Sequence, residues 1–294
     1  MITHAASAAL LALTGLTAPA PTLTVMTWNV CAGTNSVCPL YGGTAEHLAE
    51  SVGGPALAAG AEVVFLQESC TSAGPALEAW LERRSGRAWS VRSVALTAAD
   101  GTPYACHPDQ AGRPRGAQGV TVAVADPAAT FQTHALESPP WFVRRFALCA
   151  TLPAKRVHAC GTHLSVGHSY DDRQAGAPYR TRQIKGLLGV VAKPGHLSVF
   201  GGDLNVSPPD SGYGAAAGRR AVAPAYRLYQ ECDQDSGRRT GRWTHTGTGP
   251  DGLRRKKLDY LFAPRGAVRS CGVDKEAKLS DHRAVYLTVS LPRR

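Results

Sequence analysis

The sequence predicts a layered α/β sandwich, two mixed β-sheets covered by helices, and three observations predict it. Nine apolar, β-rich runs recur between Leu23 and Leu291, each of strand length. Four helical stretches fall between those runs instead of in a separate block, so strands are joined both as hairpins and through helical crossovers. The chain has 31 Gly and 20 Pro in 294 residues but only 2 Met and 6 Phe, a turn-rich composition with a core built on Val, Leu and Ala.

In chain order, no Asp, Glu, Lys or Arg precedes Glu46, and residues 5–16 are almost wholly apolar, with the small residues Ala18 and Ala20 just beyond. This pattern reads as a secretory signal peptide over residues 1–20, although no Lys or Arg stands ahead of the apolar run. A buried N-terminal helix is the alternative. The run is too short to span a membrane, so no transmembrane segment is expected. Strands follow at 23–30, 62–67, 89–96, 119–125, 146–151, 157–164, 197–200, 258–263 and 284–291, and helices at 46–59, 75–84, 179–192 and 219–230. No Ser- or Pro-rich linker interrupts them, so residues 21–294 read as one domain, expected to be a monomer.

The eight cysteines form an even set with no CxxC spacing, which argues for disulfides in an oxidising, extracellular compartment and against zinc. One pairing follows from register. If 146–151 and 156–163 are strands around Leu152-Pro153-Ala154-Lys155, setting 149 against 160 places 150 opposite 159, 151 opposite 158 and 152 opposite 157. A short hairpin then joins Cys149 to Cys160.

Five polar clusters sit at strand edges. In Thr27-Trp28-Asn29-Val30 a carboxamide follows a strand and suits a hard cation or a phosphate oxygen. The apolar run at 63–66 passes through Gln67 to Glu68, a carboxylate that needs a partner if buried. His163, inside Gly161-Thr162-His163-Leu164, titrates near working pH and suits a phosphoryl oxygen or a leaving group; a satisfied core histidine is the plainer reading. In Gly201-Gly202-Asp203-Leu204-Asn205 the glycines allow a tight turn, and an extended D-x-N step sets Asp203 and Asn205 on one side. A plain Asx turn is the alternative there. Asp259 interrupts the apolar strand of Leu258-Asp259-Tyr260-Leu261-Phe262, and Ser280-Asp281-His282 sets a metal-binding carboxylate beside a base. His158, His168, His196 and His245 lack such surroundings and read as surface or structural residues.

Taken together, TWNV, LQES, GTHL, GGDLN, LDYLF and LSDH stand in the order that resembles the endonuclease/exonuclease/phosphatase superfamily, the DNase I-like group. The resemblance runs from about Leu23 to Leu291. It implies a four-layered α/β sandwich, with the site at the strand edges, and Mg²⁺-assisted hydrolysis of a phosphate ester, Mn²⁺ or Ca²⁺ being possible substitutes. Carried over, Glu68 would bind the metal with Asn29 and Asp281 beside it. Asn205 and His163 would hold the phosphate, with Arg144 a looser match because Arg145 competes for the place. Asp203 would orient the attacking water, and His282, oriented by Asp259, would transfer protons. An Asp found two residues after the first Asn in the exonuclease III branch is Cys31 here, which argues against apurinic-site repair.

For the substrate, the formal charge of +10 and the run Arg254-Arg255-Lys256-Lys257, with Arg219-Arg220 and Arg238-Arg239, favour a polyanion, and nucleic acid above others. A sphingomyelinase-like phospholipid phosphodiesterase, with Pro139-Pro140-Trp141-Phe142 as its membrane contact, is the first alternative, and a phosphatase of a small metabolite the second. A binding module without catalysis would be expected to lack one of Glu68, His163, Asp203, Asp281 or His282; all are present.

Overall fold

In the computed structural model, residues 20–167, 171–172, 174, 176–234, 237–249 and 252–292 are described. The expected signal segment therefore lies outside the described residues except for Ala20, as does His168. Among the described residues no helix is long and apolar enough to cross a membrane.

Two six-stranded mixed sheets form the centre. The first comprises β1 (Thr22–Asn29), β2 (Val63–Cys70), β3 (Ser90–Ala95), β4 (Gln118–Val124), β13 (Val268–Val273) and β14 (Val285–Ser290), in the order β13-β14-β1-β2-β4-β3. The second comprises β5 (Thr130–Leu136), β6 (Arg145–Leu152), β7 (Val157–His163), β8 (Leu197–Asp203), β9 (Gln230–Glu231) and β12 (Asp259–Ala263), in the order β5-β6-β7-β8-β12-β9. A separate two-stranded hairpin pairs β10 (His245–Gly249) with β11 (Gly252–Lys256). Between the sheets lies a dry layer of Val25, Val63, Phe65, Val122, Leu148, Val157, Val199, Leu261 and Leu287. On the outer face of the first sheet, α1 (Ala45–Ala58) and α2 (Gly74–Ser85) bury Leu48, Val52, Leu77 and Leu81 against Met26, Val64 and Leu66. On the second, α3 (Pro178–Val191) and α4 (Ala216–Leu228) bury Ile184, Leu187 and Val222 against Phe200 and Phe262. The result is the four-layered sandwich the sequence predicts.

All nine expected strands and four helices are present, with ends shifted by a few residues. The strands missed, β5, β9, β10, β11 and β13, lie at sheet edges or in the hairpin, where half-solvated polar residues replace the apolar runs that a periodicity reading relies on. The β6–β7 register is the one expected, Cys149 opposite Cys160 and Leu152 opposite Val157, and the two cysteines are disulfide-bonded. The other bridges are Cys31–Cys38, Cys70–Cys106 and Cys232–Cys271. Gly201 and Gly202 serve a different purpose from the turn expected of them. Both lie within β8, and a Cβ on either would come within 1.9 Å of a backbone oxygen, Tyr260 O or Thr162 O. They let β7, β8 and β12 approach closely where the site begins.

Candidate active site

Topology gathers the polar clusters at one end of the sandwich. β1 and β2 run parallel in one sheet, and β7 and β8 in the other. Asn29, His163 and Asp203 are the last residues of β1, β7 and β8, and Glu68 stands at the matching level of β2. β12 runs antiparallel to β8, so its first residue, Asp259, pairs with Asp203. Two adjoining cavities of about 440 and 420 Å³ share Glu68, His163 and Asp281.

Each side chain is aimed by a local device. At Glu68 the β2–β4 register slips, a β-bulge, and the residue adopts φ +55°, so the carboxylate leaves the plane of the sheet. A left-handed conformation in a residue other than glycine is costly and clusters at functional sites. Asn205 has φ +51°, and its amide donates to Asp203 Oδ1 at 2.9 Å. That is the Asx turn, in place of the extended D-x-N step, and Asp203 and Asn205 still line one cavity. Ser280 Oγ donates to Asn29 O at 2.7 Å and accepts from the His282 amide at 3.0 Å, fastening Ser280-Asp281-His282 to the end of β1.

His282 Nδ1 donates to Asp259 Oδ2 at 2.8 Å, and Thr244 Oγ1 donates to the same oxygen at 2.6 Å while accepting the Asp259 amide. The free edge of the ring, Nε2, faces Asp203 Oδ2 at 3.8 Å and Asp281 Oδ1 at 4.0 Å. Burial alone would lower the basicity of His282, but Asp259, Asp203 and Asp281 outweigh it and push its pKa up to about 10. The three carboxylates around it thus favour the protonated ring, which suits His282 to proton transfer. Burial pushes Asp203 up to about 7, against the pull of His282, so this carboxyl is within reach of taking a proton from water. Burial also raises Glu68, partly offset by a hydrogen bond from Asn29. Asp281 is held below the usual carboxylate range because His245 and His282 overcome its partial burial.

His163 Nε2 lies 3.5 Å from Asp203 Oδ2, and neither ring nitrogen has a hydrogen-bond partner. Burial and the nearby cations Arg145 and His282 hold its pKa well below the ordinary value, so the ring is neutral. A buried imidazole left unpaired at a cavity wall is satisfied by a polar ligand.

Three expectations change. Asn29 Nδ2 donates to Glu68 Oε1 at 3.0 Å and Asp203 Oδ2 at 3.1 Å, and its Oδ1 accepts the Cys31 amide. The oxygen that would ligate a metal is turned away, so Asn29 is a bridge that spaces two carboxylates. Arg144 points away from the site to Ala99 O, whereas Arg145 is 5% exposed and lines the cavity with Glu68 and His163. Arg145 pairs with Asp171 at 3.1 Å and keeps a buried Nε without a partner. His245, whose surroundings in sequence suggest a surface or structural residue, lies 3.7 Å from Asp281 Oδ2, with its ring centroid 4.5 Å from that of His282. It comes from the hairpin, where no apolar run marked its position.

The donor set fits a divalent cation. Glu68 and Asp281, which line both cavities, offer oxygens that suit a hard ion, and Glu68 is a buried carboxyl whose charge calls for a counter-ion.

Residues 26–282 match the Endonuclease/Exonuclease/phosphatase family. No curated protein is similar enough in sequence to count as a match. Among solved structures, the human Nocturnin catalytic domain with bound sulfate anion is 16% identical with a TM-score of 0.63, covering 92% of this chain and 94% of that one. D. rerio TDP2 complexed with single strand DNA product is 16% identical with a TM-score of 0.57, covering 91% and 98%. An endonuclease/exonuclease/phosphatase from Beutenbergia cavernae is 21% identical with a TM-score of 0.59, covering 92% and 72%. At these identities the likeness is one of fold.

Proposed function

This chain belongs to the Endonuclease/Exonuclease/phosphatase family, whose members are metal-dependent phosphoric ester hydrolases, and on that premise we propose that it is a secreted nuclease that uses Mg²⁺. The observation that carries the reading is the convergence of Glu68, Asp203, Asp281, His163 and His282 beside a basic hairpin. Glu68 and Asp281 are the metal ligands in this proposal, and the ion, when bound, polarises the phosphoryl oxygens and neutralises developing charge. His163, Asn205 and the Arg145 guanidinium hold the phosphate. Asp203, set by Asn29, orients water and takes its proton as the water oxygen bonds to phosphorus. His282, held by Asp259 and Thr244, stabilises the added charge on the phosphoryl group and gives up its proton as the ester oxygen departs.

The four disulfides support export, with residues 1–20 as the leader and 21–294 as one mature domain. The test offers the purified protein plasmid DNA, RNA, sphingomyelin and a panel of phosphomonoesters, each with Mg²⁺ or EDTA. Hydrolysis of DNA or RNA is expected. Turnover confined to sphingomyelin or to the monoesters overturns the substrate assignment while leaving the phosphoesterase chemistry in place.

A further inference from the structure

The β10–β11 hairpin has two faces with different surroundings. Thr246 pairs with Arg255 and Thr248 with Leu253, while His245 pairs with Lys256. Because side chains alternate along a strand, Leu253, Arg255 and Thr246 share one face and Lys256 and His245 the other. His245 and Lys256 line the catalytic cavity. Thr246, Leu253 and Arg255 line a separate groove of about 560 Å³ on the far side, closed by Val37 and Pro39 from the loop after β1 and by Lys275 and Lys278. Asp281 belongs to both spaces. The hairpin is thus a wall between the site of chemistry and a second compartment that begins at a catalytic carboxylate.

The groove combines two chemistries. Val37 is 81% exposed and Leu253 64% exposed, leaving two apolar side chains in water at its rim. Three cations, Arg255, Lys275 and Lys278, outnumber the two acids, Asp281 and Glu276, the latter 3.6 Å from Lys278. Arg255 is held in place, its guanidinium stacked at 4.8 Å on Trp243. The buried Arg283 guanidinium also lies over the same indole, at 4.0 Å.

Resting on the nuclease reading, we infer that this groove is a subsite for the nucleotide next to the scissile phosphate, with a base against Val37 and Leu253 and its phosphate on Arg255 and Lys275. Apolar contact with a base and cationic contact with phosphate, side by side, are what a single strand presents to a protein. A choline headgroup is a poor occupant. A quaternary ammonium needs an open aromatic face, and here two guanidinium groups, Arg255 and Arg283, already lie over the Trp243 ring.

The test compares Leu253→Asp, Val37→Asp and the wild-type protein with Mg²⁺ on three substrates: a single-stranded oligonucleotide, sphingomyelin vesicles, and bis(p-nitrophenyl) phosphate, which is too small to occupy cavity and groove together. Both substitutions are at exposed positions, and a thermal melt checks folding. The expected result is a KM for the oligonucleotide raised about tenfold in each variant with kcat nearly held, and unchanged hydrolysis of the small diester. Wild-type cleavage of the oligonucleotide with unaltered KM in both variants overturns the subsite alone. Wild-type turnover of the small diester with no cleavage of any polynucleotide removes the nuclease reading and the subsite together. A loss confined to sphingomyelin vesicles assigns the groove to lipid and overturns the proposal.

Discussion

At the scale of single residues, groups placed to touch substrate differ from groups that aim them. His282→Ala should lower the chemical step by ~100-fold or more with substrate affinity nearly intact, read as kcat against KM. Thr244→Val should act through Asp259 and His282, lowering kcat by less than His282→Ala does, because both hydrogen bonds between Thr244 Oγ1 and Asp259 are lost but the one between Asp259 and His282 remains. Arg145→Ala should weaken phosphate binding, while Arg144→Ala should leave KM within about twofold; the reverse pattern would restore the original assignment. The charge on His282 also has a signature in stability. Its pKa is raised in the folded protein, so the stabilisation it brings is complete below the unfolded value of 6.5 and is lost as pH rises towards about 10. Urea unfolding in EDTA between pH 7 and 10 should show declining stability, and His282→Gln should flatten that decline. An unaltered slope in the variant would mean that the imidazolium is not held by the carboxylates around it.

At the scale of elements, the basic run 254–257 divides by strand geometry. Arg254 and Arg255 are exposed on β11, but Lys257, just past its end, is fully buried, 3.2 Å from Glu231 and 3.7 Å from Asp233. A run of four basic letters looks alike in sequence, and only the fold decides which of them meets solvent. Substituting Arg254, Arg255 and Lys256 with Gln should weaken nucleic-acid binding and flatten its salt dependence. Lys257→Met should act on stability instead, because it leaves Glu231 buried without its cation. The β6–β7 hairpin gives a covalent check: non-reducing peptide mapping should recover Cys149 linked to Cys160. That bridge closes a loop of a dozen residues, so its loss should cost at or below the typical ~2 to 4 kcal/mol.

At the scale of the whole molecule, the sandwich was legible because its inner strands are buried on both faces and read as unbroken apolar runs, while each helix lies between such runs. The site was legible as a set because each cluster ends or begins a strand, and parallel pairing carries those ends to one edge. Direction was not legible. Sequence could not show that Asn29 turns its oxygen to Cys31, that Arg145 and not Arg144 enters the cavity, or that the bulge at Glu68 throws its carboxylate off the sheet. The hairpin and His245 were missed for a related reason: half-solvated strands carry no periodic signal, and their function lies in which face meets which neighbour.

In the proposed function, Glu68 and Asp281 hold a divalent cation beside Asp203, where phosphodiesters are cut. Dialysis of the purified protein against EDTA, followed by single-stranded oligonucleotide cleavage with and without added Mg²⁺, tests it most directly. The account predicts that cleavage vanishes on chelation and returns with Mg²⁺, and that Glu68→Gln needs at least ~10-fold more Mg²⁺ for half-maximal rate while melting close to wild type. Cleavage that survives dialysis unchanged, or a Glu68→Gln protein with a wild-type Mg²⁺ requirement, would contradict it.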